Sequence, residues 1–271
     1  MTGLVQAPVK IRHNDEWINC KISIDDDAIA IPAPVNTNIP MKTIVDLQEK
    51  KKNTLTLILK NGTTIQLLSV EKVLFVLKHK ILMKCSGYRL LAHFMSPAIR
   101  GGVLITNATW EKGAIVVLKT DIWFLTQTKQ ICIPLADVTG IEMTKREVNE
   151  KPSDVVKIDH LEKNDVVSSF VLTQISTLQI LHNFLAEATE GMKMEGTELG
   201  PMDQQIAMLV YSGMDSSSIQ NMLQIQFKEI DSVFEKLLKL NMAEVKEIRR
   251  EIQLTAKGVR YITDATKAGT N

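Results

Sequence analysis

The chain has 271 residues and an almost balanced charge, with 32 Lys and Arg residues against 31 Asp and Glu residues. This balance excludes a strongly basic protein that would draw nucleic acid or acidic lipid by charge alone. Apolar residues make up 45% of the sequence, as in ordinary folded proteins, which excludes disorder throughout. No apolar run approaches the roughly 20 residues that a membrane-spanning helix needs. We expect no signal peptide, because the first residues lack a basic start followed by an apolar stretch.

The motifs that usually carry catalysis or cofactor binding are absent from the sequence. There is no G-x-x-x-x-G-K-[ST] phosphate loop, no G-x-S-x-G nucleophile turn and no H-E-x-x-H helix. Cys20, Cys85 and Cys132 are far apart, which favours free thiols over a disulfide or zinc framework. The run Asp25-Asp26-Asp27 could attract a hard cation, but a polar turn between two short strands explains it better. We therefore expect a non-enzymatic protein with no cofactor and no metal site.

The first 190 residues carry mainly strand patterns. Short apolar runs at 20–24 and 28–31 flank the aspartate turn. A hairpin is predicted for residues 54–60 and 63–68, because the Asn61-Gly62 pair between alternating runs is typical of a type I′ turn. A helix should follow from about residue 70, where the apolar positions change to helical spacing.

The same order of patterns occurs a second time, with strands predicted at 114–118, 122–125, 155–161 and 166–172 and a helix at 177–188. Matches at one offset of 94 residues join the two regions: 9–11 with 103–105, 27–31 with 121–125, Ile39-Pro40 with Ile133-Pro134, Ile44 with Val138, and Leu47 with Ile141. A shared offset indicates an internal repeat. We predict that the two Ile-Pro pairs occupy the same place in two superposable units.

Each repeat has the outline of a pleckstrin-homology-like unit, in which a bent antiparallel sheet is closed by one amphipathic helix. Modules of this outline bind peptides, proteins or phosphoinositides. A phosphoinositide site needs Lys and Arg around the first hairpin, where one copy carries three aspartates and the other Thr120-Asp121. The sequence therefore disfavours lipid binding.

A different pattern begins after a glycine-rich linker. Helices are predicted at 203–211, from a cap at Asp215 or Ser216 onward, and at 227–240, where Asn241 ends the third helix. A strand pair at 243–248 and 251–254, with Arg249-Arg250 at its tip, and a last helix at 256–264 complete the pattern of a winged helix-turn-helix domain.

The charge of this last region disfavours DNA binding. Residues 203–266 contain eight Lys and Arg against nine Asp and Glu, and the exposed side of the third helix should carry Glu229, Asp231 and Glu235. DNA affinity comes largely from neutralising phosphates, so a winged helix that docks proteins is favoured. The alternative is a winged-helix transcription regulator with a β-rich sensor region.

The predicted fold class is therefore α+β, with two tandem β-rich pleckstrin-homology-like units and a C-terminal winged helix. The predicted divisions are 1–97 for the first unit, 98–188 for the second, 189–202 for the linker and 203–271 for the winged helix.

This domain order, together with the stretches GAIVVLKTDIWFLT, ICIPLADVTGIEM and MLVYSGMDSSSIQNML, resembles the archaeal taxis protein CheF family. The resemblance implies a cytoplasmic adaptor of archaeal chemotaxis. Its implied partners are the response regulator CheY, favoured when phosphorylated, the CheD and CheC proteins, and components of the archaellum motor switch.

An adaptor for a response regulator should present a basic edge to the acidic pocket that such regulators commonly carry. The candidate residues around the wing are Lys239, Lys246, Arg249 and Arg250. The segment that contains Arg89 and Arg100 is the alternative.

Three tryptophans could also anchor an interface. Trp123 lies on an apolar strand pattern and is expected in the core. Trp17 and Trp110 occupy near-equivalent places in the two repeats, which favours a structural role for both.

Overall fold

A computed structural model describes residues 5–51, 53–163, 165–190, 199–240 and 242–245, without the side chain of Lys50. The chain divides into two compact units, residues 1–194 and 195–271. None of the helices in the described ranges has the length and apolar character needed to cross a membrane.

The first unit begins with a seven-stranded antiparallel sheet. Its strands are β1 (Val5–His13), β2 (Glu16–Ile24), β3 (Ala28–Ile31), β4 (Thr37–Pro40), β5 (Ile44–Lys51), β6 (Thr54–Leu59) and β7 (Thr64–Leu68). They lie in the order β4-β3-β2-β1-β7-β6-β5. Buried and exposed side chains alternate along β1, so that Ala7, Val9 and Ile11 enter the core. Helix α1 (Glu71–Leu82) follows, with Leu74, Leu77, Ile81 and Leu82 buried.

The predicted hairpin at Asn61-Gly62 is confirmed, but its turn differs from the expected type I′. Only Gly62 has a positive φ, of 83°, whereas a type I′ turn needs positive values at both central residues. The backbone N–H of Gly62 donates to Leu59 O at 2.9 Å, and the side chain of Asn61 accepts from Thr63 N at 3.0 Å. The turn is therefore a longer loop that ends in a left-handed glycine.

A second antiparallel sheet follows in the same unit. Its strands are β8 (Tyr88–Arg100), β9 (Val103–Leu104), β10 (Glu111–Val117), β11 (Asp121–Leu125), β12 (Gln130–Pro134), β13 (Val138–Val148), β14 (Lys151–Glu162) and β15 (Asp165–Leu172). Their order is β12-β11-β10-β8-β15-β14-β13, and β9 pairs beside this path with β8. Helix α2 (Ile175–Glu190) covers the sheet with Leu178, Leu181 and Leu185.

The two sheets have the same topology, as the repeat predicts. Ile39-Pro40 ends β4 and Ile133-Pro134 ends β12, and in both copies a three-residue 3-10 turn leads to the next strand. The prediction for these two pairs is confirmed. The match of 9–11 with 103–105 is wrong, because 9–11 lies in β1, whose counterpart in the strand order is β8 rather than β9. Residues 101–110 of the second copy have no counterpart in the first copy. The offset of 94 residues therefore holds only for the strands that follow this insertion.

Strand β8 was not predicted as a strand. It is the central strand of the second sheet, where it pairs with β10 on one side and β15 on the other. Pro97 and Ser96 interrupt its apolar pattern, since proline cannot donate to a sheet ladder. The predicted division between residues 97 and 98 falls inside this strand.

Two strands of the second sheet contribute side chains to both hydrophobic cores of the first unit. The core of the first sheet and α1 includes Ala114, Val116, Trp123 and Leu125, which lie on β10 and β11 of the second sheet. Helix α2 packs on the core that includes Phe94 and the other side of β10 and β11. The second sheet is therefore buried on both faces at β10 and β11, which explains their uninterrupted apolar sequences.

The second unit contains the three predicted helices, at nearly the predicted places. They are α3 (Pro201–Tyr211), α4 (Ser216–Leu223) and α5 (Phe227–Lys239). Asp215 caps α4 by accepting from Ser218 N at 2.8 Å, as one of the two expected caps. Their shared core consists of Ile206, Ile219, Ile230, Val233 and Leu237.

The predicted wing is mostly outside the described residues. Residues 243–245 are described and are not in a strand. The rest of the strand pair, Asn241 and the helix at 256–264 lie outside the described ranges. The winged helix therefore stays a prediction.

Candidate partner-binding surfaces

Four basic residues are expected around the wing, and one of them lies within the described residues. Lys239 is the last residue of α5 and is exposed. Lys246, Arg249 and Arg250 lie outside the described residues. A basic cluster at the wing stays a prediction.

The outward side of α5 carries the three carboxylates that the sequence predicts. Glu229, Asp231 and Glu235 are all exposed. Lys236 is used inside the unit, where its ammonium group bonds the carboxylate of Asp203 on α3. This bond and the backbone N–H of Gly200 lower the pKa of Asp203 below its usual range. Lys228 and Lys239 of the same helix are exposed, so the outward side of α5 carries charges of both signs.

Arg89 and Arg100, the alternative basic site, are both engaged within the first unit. The guanidinium group of Arg89 donates to Leu82 O at 3.1 and 2.8 Å and to Cys85 O at 3.1 Å. It thereby satisfies carbonyl groups at the end of α1 that lack helical partners. Arg100 is 2.5 Å from Glu162. Arg89 therefore holds α1 on the second sheet rather than forming a free docking edge.

The three-aspartate run is a turn, as predicted. Asp25 Oδ1 accepts from the backbone N–H groups of Asp27 at 2.8 Å and Ala28 at 2.7 Å. These bonds, that of Ala28 most strongly, lower the pKa of Asp25. Asp26 lies 3.2 Å from the ammonium of Lys84. Within the described ranges no group of three or more His, Cys, Asp or Glu residues is arranged to hold a metal ion.

The three tryptophans have different environments. Trp123 is 1% exposed, which confirms its place in the core. Trp110 is half-buried and packs on a small cluster around Phe170. Trp17 is 40% exposed on β2 and is absent from the core of its sheet. Trp17 is therefore less buried than Trp110, and its structural role stays a prediction.

A buried polar cluster at the junction of the sheets was missed by the sequence analysis. Asp46 on β5 and Asp121 on β11 are 1% and 7% exposed, and both contact Thr120. The thiol of Cys132 donates to Asp121 Oδ1 at 3.5 Å. The signal in the sequence that could have indicated this cluster is Asp46, a charged residue that interrupts an apolar strand pattern. The cluster joins the two sheets and extends from the buried carboxyl groups to Cys132, which is exposed.

Comparison with known families shows what kind of protein carries these two sheets. The family model for the archaeal chemotaxis signal transduction system protein F matches residues 17–190, which span both sheets. The chain belongs to this family of archaeal chemotaxis proteins. A domain of unknown function, DUF8579, matches residues 198–267.

A curated relative gives a more particular match. The chain is 28% identical over 172 residues to the taxis protein CheF1 of Halobacterium salinarum, and the alignment covers 62% of this chain. The chain spans 58% of the length of that relative.

Two solved structures have a weak structural similarity to this chain. The pleckstrin homology domain of ArhGAP27 covers 38% of this chain and 97% of that domain, with 11% identity and a TM-score of 0.30. The Spt16D Pob3N heterodimer matches 64% of this chain and 99% of that chain, with 10% identity and a TM-score of 0.27. These scores do not assign the fold, so the pleckstrin-homology-like interpretation stays a prediction.

Proposed function

We propose that this protein is a non-enzymatic, cytoplasmic adaptor that binds the response regulator CheY, in its phosphorylated form by preference, and links it to the archaellum motor switch. The observation that carries the proposal is membership of the chemotaxis family across both sheets, residues 17–190. The absence of catalytic motifs from the whole sequence agrees with a role in binding alone.

Such an adaptor transmits a signal only through a difference in affinity. If it bound phosphorylated and unphosphorylated CheY equally, binding could not report the state of the regulator. The adaptor must also hold the motor switch while CheY is bound, so it needs at least two separate surfaces. Two sheets and a helical unit offer enough distinct surface for CheY, for the switch, and for the CheD and CheC proteins.

We further propose that each sheet with its helix is a pleckstrin-homology-like unit and that the C-terminal unit is a winged helix that docks proteins. The exposed carboxylates of α5, Glu229, Asp231 and Glu235, oppose a role in DNA binding. In this proposal the basic contacts of the unit lie around the wing. These are Lys239, Lys246, Arg249 and Arg250.

The test is the affinity of the full chain for CheY from the same organism, measured by surface plasmon resonance with and without beryllofluoride as the phosphoryl mimic. We expect at least about tenfold tighter binding with beryllofluoride, which corresponds to about 1.4 kcal/mol. Equal affinity in the two states, or no binding in either, would contradict the proposal.

A further inference from the structure

The junction between the two sheets contains two acidic side chains that share one hydrogen-bonding partner. Asp46 lies on β5 of the first sheet and Asp121 is the first residue of β11 in the second, and both are buried. The hydroxyl oxygen of Thr120 is 2.7 Å from Asp46 Oδ2 and 2.6 Å from Asp121 Oδ2. Oxygen atoms this close together are joined by hydrogen bonds, and each such bond needs a proton. We call these three residues the junction cluster.

The two contacts of Thr120 cannot both form when both carboxyl groups are ionised. The hydroxyl group carries one proton, and an ionised carboxylate only accepts hydrogen bonds. With both groups ionised, one pair of oxygen atoms would stay in close contact without a proton between them, and two negative charges would share a buried site. Two carboxyl groups in such a site titrate as a coupled pair, in which one group keeps its proton to higher pH. The distances therefore correspond to a junction that holds one carboxyl proton.

The charged groups around the junction cluster do not favour a second negative charge there. Glu49 of β5 and Asp137, in the turn before β13, add negative charge. Lys78 of α1 is paired with Glu49 at 2.7 Å. Arg89 of β8 donates to backbone carbonyl groups at the end of α1. Both cations are thus bonded to other groups.

Two thiols complete the titratable groups around the cluster. Cys132 of β12 donates to Asp121 Oδ1 at 3.5 Å, and the buried Cys85 follows α1. Burial raises the pKa of both thiols, so that each stays protonated at neutral pH. The change of charge at the junction therefore belongs to the two carboxyl groups.

We propose that Asp46, Thr120 and Asp121 form a proton-dependent clasp between the two sheets. With a proton on Asp121, Thr120 accepts from Asp121 and donates to Asp46, and the clasp is closed. When that proton leaves, Thr120 donates to one carboxylate at a time, and the other carboxylate is repelled by its neighbour, so that β5 loosens from β11. Protonation of the pair thereby sets how firmly the sheets are joined. The inference concerns the first unit alone and does not depend on the proposed adaptor function.

The environment of Asp121 gives the direction of the pH dependence. Burial is the main cause that raises the pKa of Asp121; the bonds from Thr120 and Cys132 oppose it, and the charges of Asp46 and Asp137 add to it. The clasp is therefore closed at acidic pH and opens as the pH rises through the folded value of Asp121. Solvent can exchange the proton, because Thr120 is half-buried and Cys132 is exposed.

The first test is an NMR titration of the full chain labelled with carbon-13 at the aspartate Cγ atoms. We expect the Asp121 signal to titrate at higher pH than the aspartates of the same chain unfolded in urea. Asp46→Asn should lower the midpoint of Asp121, because a neighbouring negative charge is removed. Asp137→Asn is the matched control and should lower it less, since Asp137 acts more weakly and does not contact Thr120.

The second test is amide hydrogen exchange at the junction. Leu118 N donates to Asp121 O at 2.9 Å, and Leu135 N donates to Thr120 O at 2.8 Å. Wild type and Asp121→Asn are compared at each pH, so that the intrinsic pH dependence of exchange cancels. We expect the ratio of their exchange rates at these two amides to rise about tenfold or more as the pH passes through the midpoint of Asp121. The amides of α2 serve as the internal control, and their ratio should stay constant.

Two results would overturn the clasp in distinguishable ways. If Asp121 titrates within the range of the unfolded chain, the junction holds no carboxyl proton and the inference fails at its first step. If the midpoint is raised but the exchange ratio at Leu118 and Leu135 does not change with pH, the proton is held without joining the sheets. The wild-type titration, with Asp121 assigned through its backbone signals, decides the first point even where a variant does not fold.

Discussion

The hydroxyl oxygen of Thr120 lies 2.7 Å from Oδ2 of Asp46, and this contact joins the second sheet to the first. The same oxygen lies 2.6 Å from Oδ2 of Asp121. A hydroxyl group has one proton to donate, so two such short contacts require a proton on one of the two carboxyl groups. Burial raises the pKa of Asp121, which favours its protonated form. The Thr120 hydroxyl donates to one carboxylate at a time, and a proton on Asp121 would let Thr120 donate to Asp46 while it accepts from Asp121.

Replacing Thr120 by valine should destabilise the protein by about 1–3 kcal/mol, because the isosteric side chain leaves two buried carboxyl groups without their shared partner. The free energy of unfolding, from urea denaturation at pH 7, measures the effect. Thr139→Val on β13, where the threonine is exposed, is the control and should change stability by less than about 0.5 kcal/mol. Equal effects of the two substitutions would show that the Thr120 contact contributes nothing.

Asp121→Asn should change how stability depends on pH. The raised pKa means that the folded protein holds a proton that the unfolded chain releases near pH 3.9. The stabilisation from Asp121 is thus complete below about pH 3.9 and is lost as the pH rises through the higher folded value. Asparagine keeps a donor for Thr120 without this loss, so the variant should gain stability relative to the wild type from pH 4 to pH 7.

Urea denaturation at intervals across that range gives the comparison. Asp154→Asn, at an exposed position of β14, is the matched control and should follow the wild type at every pH. Parallel curves for wild type and Asp121→Asn would mean that Asp121 is not protonated in the folded protein.

Local patterns were enough to predict the helices and most hairpins. The periodicity of α5 placed Ile230, Val233 and Leu237 inside, and all three are buried. The shared offset placed both Ile-Pro pairs on equivalent strands, because the repeat preserves strand order and turns together.

Local patterns could not predict which strands pair when those strands lie far apart in the sequence. β8 has no unbroken strand pattern, yet it is central because β10 and β15 pair with it from distant parts of the sequence. The exposure of Trp17 was missed for a related reason. Whether Trp17 faces the core or solvent depends on the register of β1 and β2, and a shift by one residue reverses it.

Gly113 marks a close approach within the second sheet, and Gly113→Ala should be strongly destabilising. A Cβ at this position would lie 2.1 Å from the carbonyl oxygen of Leu125 and 2.9 Å from Cε1 of Phe94. Overpacking of this kind costs about 1–3 kcal/mol and occasionally more, since backbone and a buried ring must move. Thermal and urea unfolding measure the loss.

Gly140→Ala provides the matched control, because its Cβ would meet only Asp159, at 3.5 Å or more. Gly140 also lies on a strand of the second sheet. A stability change as small for Gly113→Ala as for Gly140→Ala would contradict the close approach of β10 and β11.

The last prediction concerns the wing, which should act on the rate of encounter with CheY. If Arg249 and Arg250 belong to an exposed turn, Arg249→Glu with Arg250→Glu should slow association with beryllofluoride-activated CheY far more than it speeds dissociation, because charges at an interface rim act mainly on the on-rate. The effect should shrink toward 0.5 M salt, where the screening length falls to roughly 4 Å. The free energy of unfolding, followed by thermal melts, should change by less than about 0.5 kcal/mol. Unchanged association at low salt would move the contact to the sheets, and a collapsed melting temperature would mean that these arginines stabilise the fold.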